Sequence, residues 1–444
     1  MGRSTRRRGI TVTLSTGSAT QVPQDVLLSA RIGGTVDSEG IHRSEVDMND
    51  ETIGERIRRF RGKALTQREL AERSGVSLAL IRALEQGART GASIASLQKI
   101  ARALDVDIAD LVGKRYGIPS DDPDAGVVAI RQALTSVDDL IDDSDTERAV
   151  TVDEARRSVD YAWGAYWNGR YETLTAILPP GLGQLRATAH AAQAADIPTA
   201  HELLARMYWV TGCTLVHMGQ TDSAFMAIRQ ALTAAERGND QLLAATLRGS
   251  VAWQLLVQGR YEESHKVALR AAAGVEPTGD VSDAHLAVYG SLVLQGATAA
   301  GRNQATGEAL SLADAAGEVA DRVGMDTKHY ECNFGPSQVV MQTVDINVSS
   351  ERYPEALTAA QAMPNRATGL TQVSQARHLL DKAAALARLG EYQKALDMLL
   401  TAERVGGPEW VKYQTLLRQI VAELLDHDRR APLRAFADRI GARG

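Results

Sequence analysis

A recurring tripeptide of glycine, a polar residue and tyrosine constrains the fold of this 444-residue chain more than any other feature. It occurs as Gly169-Arg170-Tyr171, Gly259-Arg260-Tyr261 and Gly390-Glu391-Tyr392, and without the glycine as Glu351-Arg352-Tyr353. An apolar run at helical spacing precedes each copy and another follows it. Because glycine allows a tight turn, the pattern predicts helical hairpins with the tyrosine wedged between the two helices.

Two degenerate copies fill the gaps, Gly219-Gln220-Thr221 and Gly301-Arg302-Asn303. The register positions 171, 221, 261, 303, 353 and 392 are then 50, 40, 42, 50 and 39 residues apart. Three residues beyond each position lies a side chain that we expect to permit close helix approach: Leu174, Ala224, Ser264, Thr306, Ala356 and Ala395. The sequence therefore predicts about six hairpins, whose stacking leaves a concave surface lined mainly by first helices.

The composition favours an all-α chain. Hydrophobic residues make up 44% but aromatic residues only 5%, which suits helices built from alanine and leucine better than strands. No run approaches 18 consecutive apolar residues and no apolar segment follows the basic N-terminal residues, so we expect neither a membrane span nor a secretory signal. With two cysteines, a reducing cytoplasm is the default location.

The net charge of −6 combines unlike segments. Residues 51–117 carry 13 basic and 8 acidic side chains, net +5, whereas residues 118–444 carry 30 basic and 41 acidic ones, net −11. Residues 1–50 are neutral and rich in Ser, Thr and Gly, and we expect them to be disordered. We expect a basic module over 51–117, an acidic linker with a helix over 118–150, and an acidic repeat domain over 151–444.

Two capping boxes, Thr52-Ile53-Gly54-Glu55 and Thr66-Gln67-Arg68-Glu69, predict the first two helix starts of the basic module. Gly75 ends the second helix, and Ser77 caps a third that ends at Gln86-Gly87. Two more short helices are expected over 93–105 and 107–112. Their apolar positions can close one small core: Ile57, Leu70, Ala71, Val76, Ile81, Leu84, Leu97, Ile100, Leu104 and Leu111.

This module resembles the helix-turn-helix of the Cro/repressor (XRE) family in residues 66–71, in Gly75-Val76-Ser77, at Ile81, and in Leu84-Glu85-Gln86-Gly87. The resemblance implies that the helix after Ser77 enters the DNA major groove. It also implies that Gln67 contacts a phosphate and that Ser77 contacts a phosphate or a base edge.

The outward side chains of that helix, Leu78, Ala79, Arg82 and Ala83, offer little sequence reading. Leu78 and Ala79 can only touch thymine methyl groups, so Arg82 is the one evident hydrogen-bonding reader, of guanine or else of a phosphate. Four further cations are phosphate contacts or ordinary solvated side chains, with Arg89 preferred: Arg59, Lys63, Arg68 and Arg89.

The hairpins resemble tetratricopeptide repeats, best at Tyr208, Gly212, Leu215, Gly219, Ala224, Ile228 and Ala231. Joined to an XRE-type module, they resemble the peptide-sensing regulators of the quorum-sensing superfamily and similar actinobacterial regulators. The resemblance implies a double-stranded DNA operator, a homodimer, and a peptide, small-molecule or protein effector in the concave groove.

Polar and aromatic residues on the predicted first helices are candidate effector contacts. The strongest group is an amide stripe beside the irregular Asn333-Phe334-Gly335-Pro336, because Gln338 and Gln342 share a helix face and can clamp a peptide backbone. The other candidates are Asp345, Arg377, His378, Asp381, Arg248 and Trp209, and for an aromatic residue core packing is the competing interpretation.

No motif for catalysis, a cofactor or a metal stands out, since His329 and Cys332 form at most half a metal site. The sequence therefore favours a sequence-specific DNA-binding transcriptional regulator without enzymatic activity. The alternative is a protein-interaction adaptor, in which the repeats bind a partner protein and the basic module anchors DNA weakly.

Overall fold

A computed structural model of the chain describes residues 51–62, 65–89, 92, 94–104, 106, 111, 125–136, 148–364, 368–427 and 431–442. Residues 1–50, for which the sequence predicts disorder, lie outside this part of the chain. So does most of the helix expected over 107–112, although Leu111 is described and buried.

Among the described residues, four helices form the N-terminal head: α1 Ile53–Arg61, α2 Gln67–Ser74, α3 Leu78–Glu85 and α4 Ile94–Leu104. Both predicted capping boxes are present, at Thr52 with Glu55 and at Thr66 with Glu69. Gly75 ends α2 in the left-handed conformation, with a φ of 66°. The predicted apolar positions form one cluster that closes the head around Ile57, Leu70, Ile81, Leu97 and Ile100.

After α5 (Ala125–Leu134), the described residues form six helical hairpins. Their helices are α6 Val152–Trp167 and α7 Tyr171–Ala191, α8 Ile197–His217 and α9 Thr221–Ala235, α10 Gln241–Val257 and α11 Tyr261–Ala273, α12 Asp283–Arg302 and α13 Thr306–Val323, α14 Pro336–Ser349 and α15 Tyr353–Ala360, and α16 Gln372–Arg388 and α17 Tyr392–Lys412. Two more helices, α18 Thr415–His427 and α19 Ala431–Ile440, pack at the end of the array. The predicted all-α repeat architecture is confirmed.

The turn chemistry explains why each tyrosine opens a second helix. Tyr171, Tyr261, Tyr353 and Tyr392 are the first residues of α7, α11, α15 and α17. Two residues earlier, the chain turns through a left-handed residue, which is glycine in every one of these turns except at Glu351 (φ 59°). The side chains three residues after the tyrosines are buried, as close packing of the two helices requires.

The predicted register of the fourth unit was wrong by three residues. Its left-handed turn residue is Gln304 (φ 67°), so α13 begins at Thr306 and the buried small residue is Ala309. Gly301 lies inside α12, where an added Cβ would come 3.3 Å from Ile346 of α14. That glycine is needed for helix packing instead of for a turn.

A β-hairpin interrupts the array where the sequence predicted only helix and a short irregular stretch. Strand β1 (Thr327–His329) pairs antiparallel with β2 (Cys332–Phe334), and Tyr330 and Glu331 form the loop between them. The ring of Phe334 lies directly on the backbone of α12, where an added Cβ at Gly290 would come 2.0 Å from Phe334 Cζ. Packing against α12 thus holds an element that has little local sequence signal.

The array curves until its first and sixth units touch. The Tyr171 ring centroid lies 4.8 Å from that of Tyr413, which follows α17. An added Cβ at Gly169 would lie 3.3 Å from the Cβ of Trp410. Helix α17 bends at Gly407 (φ 81°) next to this contact. The first helices of the units therefore surround a common inner face.

Candidate nucleic-acid interface and inner-face site

The exposed surface of α3 is small and carries one cation. Ser77 caps the helix by accepting a hydrogen bond from the Leu80 backbone N–H (3.2 Å). Arg82 and Ala79 are exposed, while Leu78 and Ala83 are half-buried. The structure thus places the five predicted DNA contacts together, with Ser77 at the start of α3 and the other four along it. Arg82 is the polar side chain among those four.

One buried carboxylate ties Gln67 to this helix. Glu85 accepts a hydrogen bond from Gln67 Nε2 (2.8 Å) and two from Arg61 (2.7 and 2.9 Å), and its side chain is 2% exposed. Burial favours a raised pKa for Glu85, but the hydrogen bonds from Arg61 and Gln67 prevail and lower it. Gln67 is therefore held at the N-terminus of α2, where backbone N–H groups favour an anion. Sequence reasoning missed the roles of Glu85 and Arg61, because nothing in their spacing shows a contact between α1 and α3.

The remaining candidate phosphate contacts are surface side chains. Arg59 and Arg68 are exposed, and each forms one ion pair, at 3.0 and 3.4 Å. Such pairs are weak in water, so a phosphate can replace the carboxylate. Arg89 is exposed in the loop after α3. Lys63 lies outside the described residues.

Helix α4 connects the head to the turns of the repeats. Arg102 Nη2 donates to Asn303 Oδ1 (3.1 Å), and the Arg102 guanidinium lies 5.5 Å from the centre of the Tyr261 ring. Lys99 Nζ lies 3.9 Å from a Glu351 carboxylate oxygen. These partners belong to the turns of the third, fourth and fifth units, so α4 contacts three neighbouring units of the array.

On the inner face, Arg302, Asp345, Arg377 and Asp381 form a polar group that we call the inner-face cluster. Asp345 accepts hydrogen bonds from Arg302 and from Arg377 (3.1 Å), and Arg377 also pairs with Asp381 (3.2 Å). Burial, together with the Asp345 carboxylate, raises the pKa of Asp381 to about 6 against the opposing effect of Arg377. Three predicted effector contacts, Asp345, Arg377 and Asp381, therefore meet in one place.

The predicted amides lie beside this cluster. Gln342 accepts a hydrogen bond from Thr298 (3.0 Å). Gln338 Oε1 and His378 Nδ1 are buried and have no hydrogen-bond partner in the described part of the chain. Burial lowers the pKa of His378 to about 4, so the ring is neutral at pH 7. Asn333 lies on β2, at the side of the hairpin.

Two predicted effector contacts lie away from the inner-face cluster. Trp209 is buried on α8, with its ring centroid 4.8 Å from that of Trp163, as core packing predicts. Arg248 is exposed on α10 and lines a shallow cavity with Arg270 of α11.

A third buried carboxylate on the inner face, Glu331, was missed from the sequence. It accepts hydrogen bonds from Arg206 Nη2 (2.7 Å) and Trp167 Nε1 (3.1 Å), and Lys328 Nζ lies 2.6 Å away. Burial opposes ionisation of Glu331, but these partners lower its pKa below the ordinary value. The only sequence signal was the irregular stretch nearby, which does not show that the hairpin tip reaches the first two units.

Within the described residues, no three or more His, Cys, Asp or Glu side chains are grouped as a metal site would require. In the same residues, no helix has both the length and the apolar composition needed to cross a lipid bilayer.

Comparison with known proteins identifies the head. Residues 57–111 match the family model described as Helix-turn-helix. This segment is a helix-turn-helix domain. The two helices of the motif are α2 and α3. The exposed surface described above therefore belongs to the helix that follows the turn. No curated protein matches the chain.

Weakly similar solved structures include the following three. A Bacillus thuringiensis PlcR in complex with the peptide PapR7 and DNA is 13% identical, with a TM-score of 0.36, covering 80% of this chain and 99% of that chain. A Rap protein complexed with competence and sporulation factor is 14% identical (TM-score 0.40; 66% and 88%). Pseudomonas aeruginosa pilF is 17% identical (TM-score 0.31; 58% and 96%). Because all three TM-scores are below 0.5, the architecture is defined by the helix-turn-helix match and the six described hairpins alone.

Proposed function

We propose that the protein is a cytoplasmic, sequence-specific DNA-binding transcriptional regulator that acts without catalysis. The observation that carries the proposal is the helix-turn-helix domain at residues 57–111, in which α3 exposes the cationic side chain of Arg82. The segment around it, residues 51–117, has a net charge of +5 in a chain of net −6. Repulsion between DNA and the acidic repeats favours docking through this basic head.

Readout by one head is limited, which supports a homodimer. Ala79 and the half-buried Leu78 offer only apolar contacts to thymine methyl groups, and Arg82 supplies one hydrogen-bonding reader. One good base contact contributes roughly 1–3 kcal/mol of discrimination, which is too little to select a site in a genome. Two heads on a two-part operator supply the required specificity.

The repeat domain is proposed to sense a peptide, a small molecule or a partner protein. The inner-face cluster and the nearby Gln338 and His378 supply buried polar groups. Three of their atoms, Arg302 Nε, Gln338 Oε1 and His378 Nδ1, lack a hydrogen-bond partner among the described residues. A ligand bound there favours one arrangement of the units over another. Arg102 and Lys99 then transmit the change from the turns to the head.

Selection from random duplex DNA tests the proposal. The wild-type protein should enrich one two-part sequence, and Arg82→Ala should weaken binding to it by 10- to 100-fold while leaving binding to unrelated DNA within about twofold. Arg59→Ala is the matched control, because loss of a phosphate contact weakens all sequences alike and lowers the salt dependence. Salt-sensitive binding without enrichment of any sequence would instead favour the adaptor.

A further inference from the structure

The tip of the β-hairpin lies in contact with the first helices of units far from it in the chain. Glu331 is held by Trp167 at the end of α6 and by Arg206 of α8. Cys332 lies beside Thr246 of α10 and Ser291 of α12. A segment between the fourth and fifth units thus lies along the inner face of the first four.

The contacts of Glu331 have the character of a binding site. Its side chain is 7% exposed, and its two oxygens are shared among Arg206, Trp167 and Lys328. Two of these partners, Arg206 and Trp167, belong to the repeats and not to the hairpin. If the hairpin leaves, the Trp167 N–H loses its acceptor and Arg206 keeps its longer, exposed contact with Asp160 (3.5 Å) but loses the buried one. This leaves an inner surface prepared for another carboxylate.

The backbone of the tip is unfavourable without these contacts. Tyr330 and Glu331 both adopt the left-handed conformation, with φ of 49° and 56°. A two-residue loop of this kind strongly favours Asn-Gly, and other side chains are strained there. The inner-face contacts must therefore compensate for the strain, so the hairpin is held by its tip and by Phe334 instead of by its own turn chemistry.

The site is also open beside the tip. A cavity of about 240 Å³ adjoins Tyr330 and is lined by Arg156, Glu202, Arg206 and Asp240, among others. It reaches Arg206, which already binds Glu331. A competing ligand can therefore approach the carboxylate site while the hairpin is still in place.

We propose that Trp167 and Arg206 form a carboxylate-binding site, that the hairpin of residues 327–334 is its built-in occupant, and that an acidic peptide competes with the hairpin for it. The existence of the site is inferred from the contacts described above. Its use in controlling DNA binding rests on the proposed function, because the hairpin then occupies the site only when no effector is bound.

The two cysteines of the chain allow hairpin release to be measured directly. Cys332 is on the hairpin, and Cys213 is buried in α8 as an internal control. Glu331→Gln keeps the shape of the side chain but removes its charge. In the full-length protein it should raise the rate of Cys332 alkylation at least tenfold and leave Cys213 unlabelled. An unchanged rate at Cys332 would overturn the proposal.

Gly290→Ala provides a second route to release that leaves Glu331, Trp167 and Arg206 intact. The added methyl group occupies the position of the Phe334 ring, so Cys332 should again become reactive. If Cys213 is also labelled in one variant, the fold has opened generally and the other variant decides the outcome. Labelling of Cys213 in both would contradict independent release of the hairpin.

A synthetic peptide copying residues 326–335 with Cys332→Ser is the ligand probe. It should bind the Gly290→Ala protein, and the peptide carrying Glu331→Gln should bind at least tenfold more weakly. Adding Arg206→Ala to the protein should abolish binding of the first peptide. Equal binding of both peptides, or no binding of either, would overturn the proposed site. If the peptides fail to bind as expected but the protein still selects a two-part DNA sequence, the proposed site is wrong and the proposed function stands. If the peptides bind as expected but the protein selects no DNA sequence, the proposed function is wrong and the site stands.

Discussion

In the helix-turn-helix head most charged side chains are exposed, and Glu85 is a buried carboxylate among them. On the inner face of the repeats, by contrast, Asp345, Asp381 and Glu331 are all buried. The head therefore presents its cations to any polyanion that approaches. The inner face satisfies its carboxylates internally, with arginines from neighbouring units. An exposed charged face suits a permanent DNA surface, while a buried and internally paired one suits a site that opens for a specific ligand.

The largest effect we predict comes from removing the carboxylate that joins the helices of the head. Glu85→Ala leaves the nearly buried Arg61 without its partner, which should cost the head about 3–5 kcal/mol of unfolding free energy. Hydrogen exchange should show α1–α3 opening while the repeats remain protected. Glu72→Ala is the control, since its ion pair with Arg68 is exposed and should leave stability unchanged. Equal protection of the head in both variants would contradict a structural role for Glu85.

A second test compares a packed glycine in the head with an open one in the repeats. An added Cβ at Gly54 would lie 1.8 Å from the carbonyl oxygen of Leu84, so Gly54→Ala should force α1 from α3 and cost about 2–3 kcal/mol. An added Cβ at Gly164 would meet no heavy atom within 4 Å beyond the neighbouring backbone of its own helix, and Gly164→Ala should stabilise α6 by about 0.5–1 kcal/mol. Thermal unfolding of the two variants measures this, and destabilisation of similar size would show that the contact between α1 and α3 is not the cause.

Glu85 of the head and Asp381 of the repeats should respond to acid with opposite signs. The pKa of Glu85 is lowered in the fold, so its contribution is present above the ordinary value of 4.5 and is lost as pH falls through the folded value. The pKa of Asp381 is raised from 3.8 to about 6, so its contribution is present at low pH and is lost as pH rises through about 6. From pH 6.5 to 5, Asp381 should therefore add stability to the repeats as the pH falls, whereas His217 and His378, whose pKa values burial lowers to about 4, should remove it. Glu85 stays ionised in the head over this range.

Unfolding of the repeats, followed by denaturant titration at several pH values, measures this slope. The contribution of Asp381 to it should amount to at most about 1.4 kcal/mol per pH unit for one proton taken up. Arg302, Asp345 and Arg377 face Asp381, and Asp381→Asn should change the slope by this contribution. An identical slope in the wild type and in Asp381→Asn would show that Asp381 does not take up the proton.

The smallest effect concerns the contact between the two regions. Arg102→Ala removes the hydrogen bond to Asn303 and the packing on the Tyr261 ring, which should cost only about 0.5 kcal/mol because the side chain is exposed. The expected result is faster hydrogen exchange in α4 with unchanged melting of either region. Arg73→Ala is the control, on an exposed site of α2. Identical exchange of α4 in both variants would show that the contact does not restrain the head.

The fold was predictable where local chemistry determines it. The capping boxes at Thr52 and Thr66 and the left-handed Gly75 need only adjacent residues, and each appeared as expected. The predicted fourth turn was wrong because Gln304 adopts a conformation normally signalled by glycine, while Gly301 forms no turn and packs against Ile346, 45 residues away.

The sites were less predictable, because they depend on contacts between distant units. Asp345, Arg377 and Asp381 were singled out as polar residues on first helices, but their partner Arg302 was not. Glu331 reaches Trp167 across 164 residues of sequence, and no periodicity encodes that contact. The exposure of Ala79 and Arg82 on α3 was predictable because a helix-turn-helix fixes which of its positions face outward.

The most direct test of the central claim is genome-wide mapping of sites bound by the wild-type protein and by Arg82→Ala in its native cell. A sequence-specific regulator predicts a limited set of sites upstream of genes that share a two-part motif, with occupancy lost in Arg82→Ala and the amount of protein unchanged. Uniform, motif-free occupancy that Arg82→Ala does not alter would contradict the account.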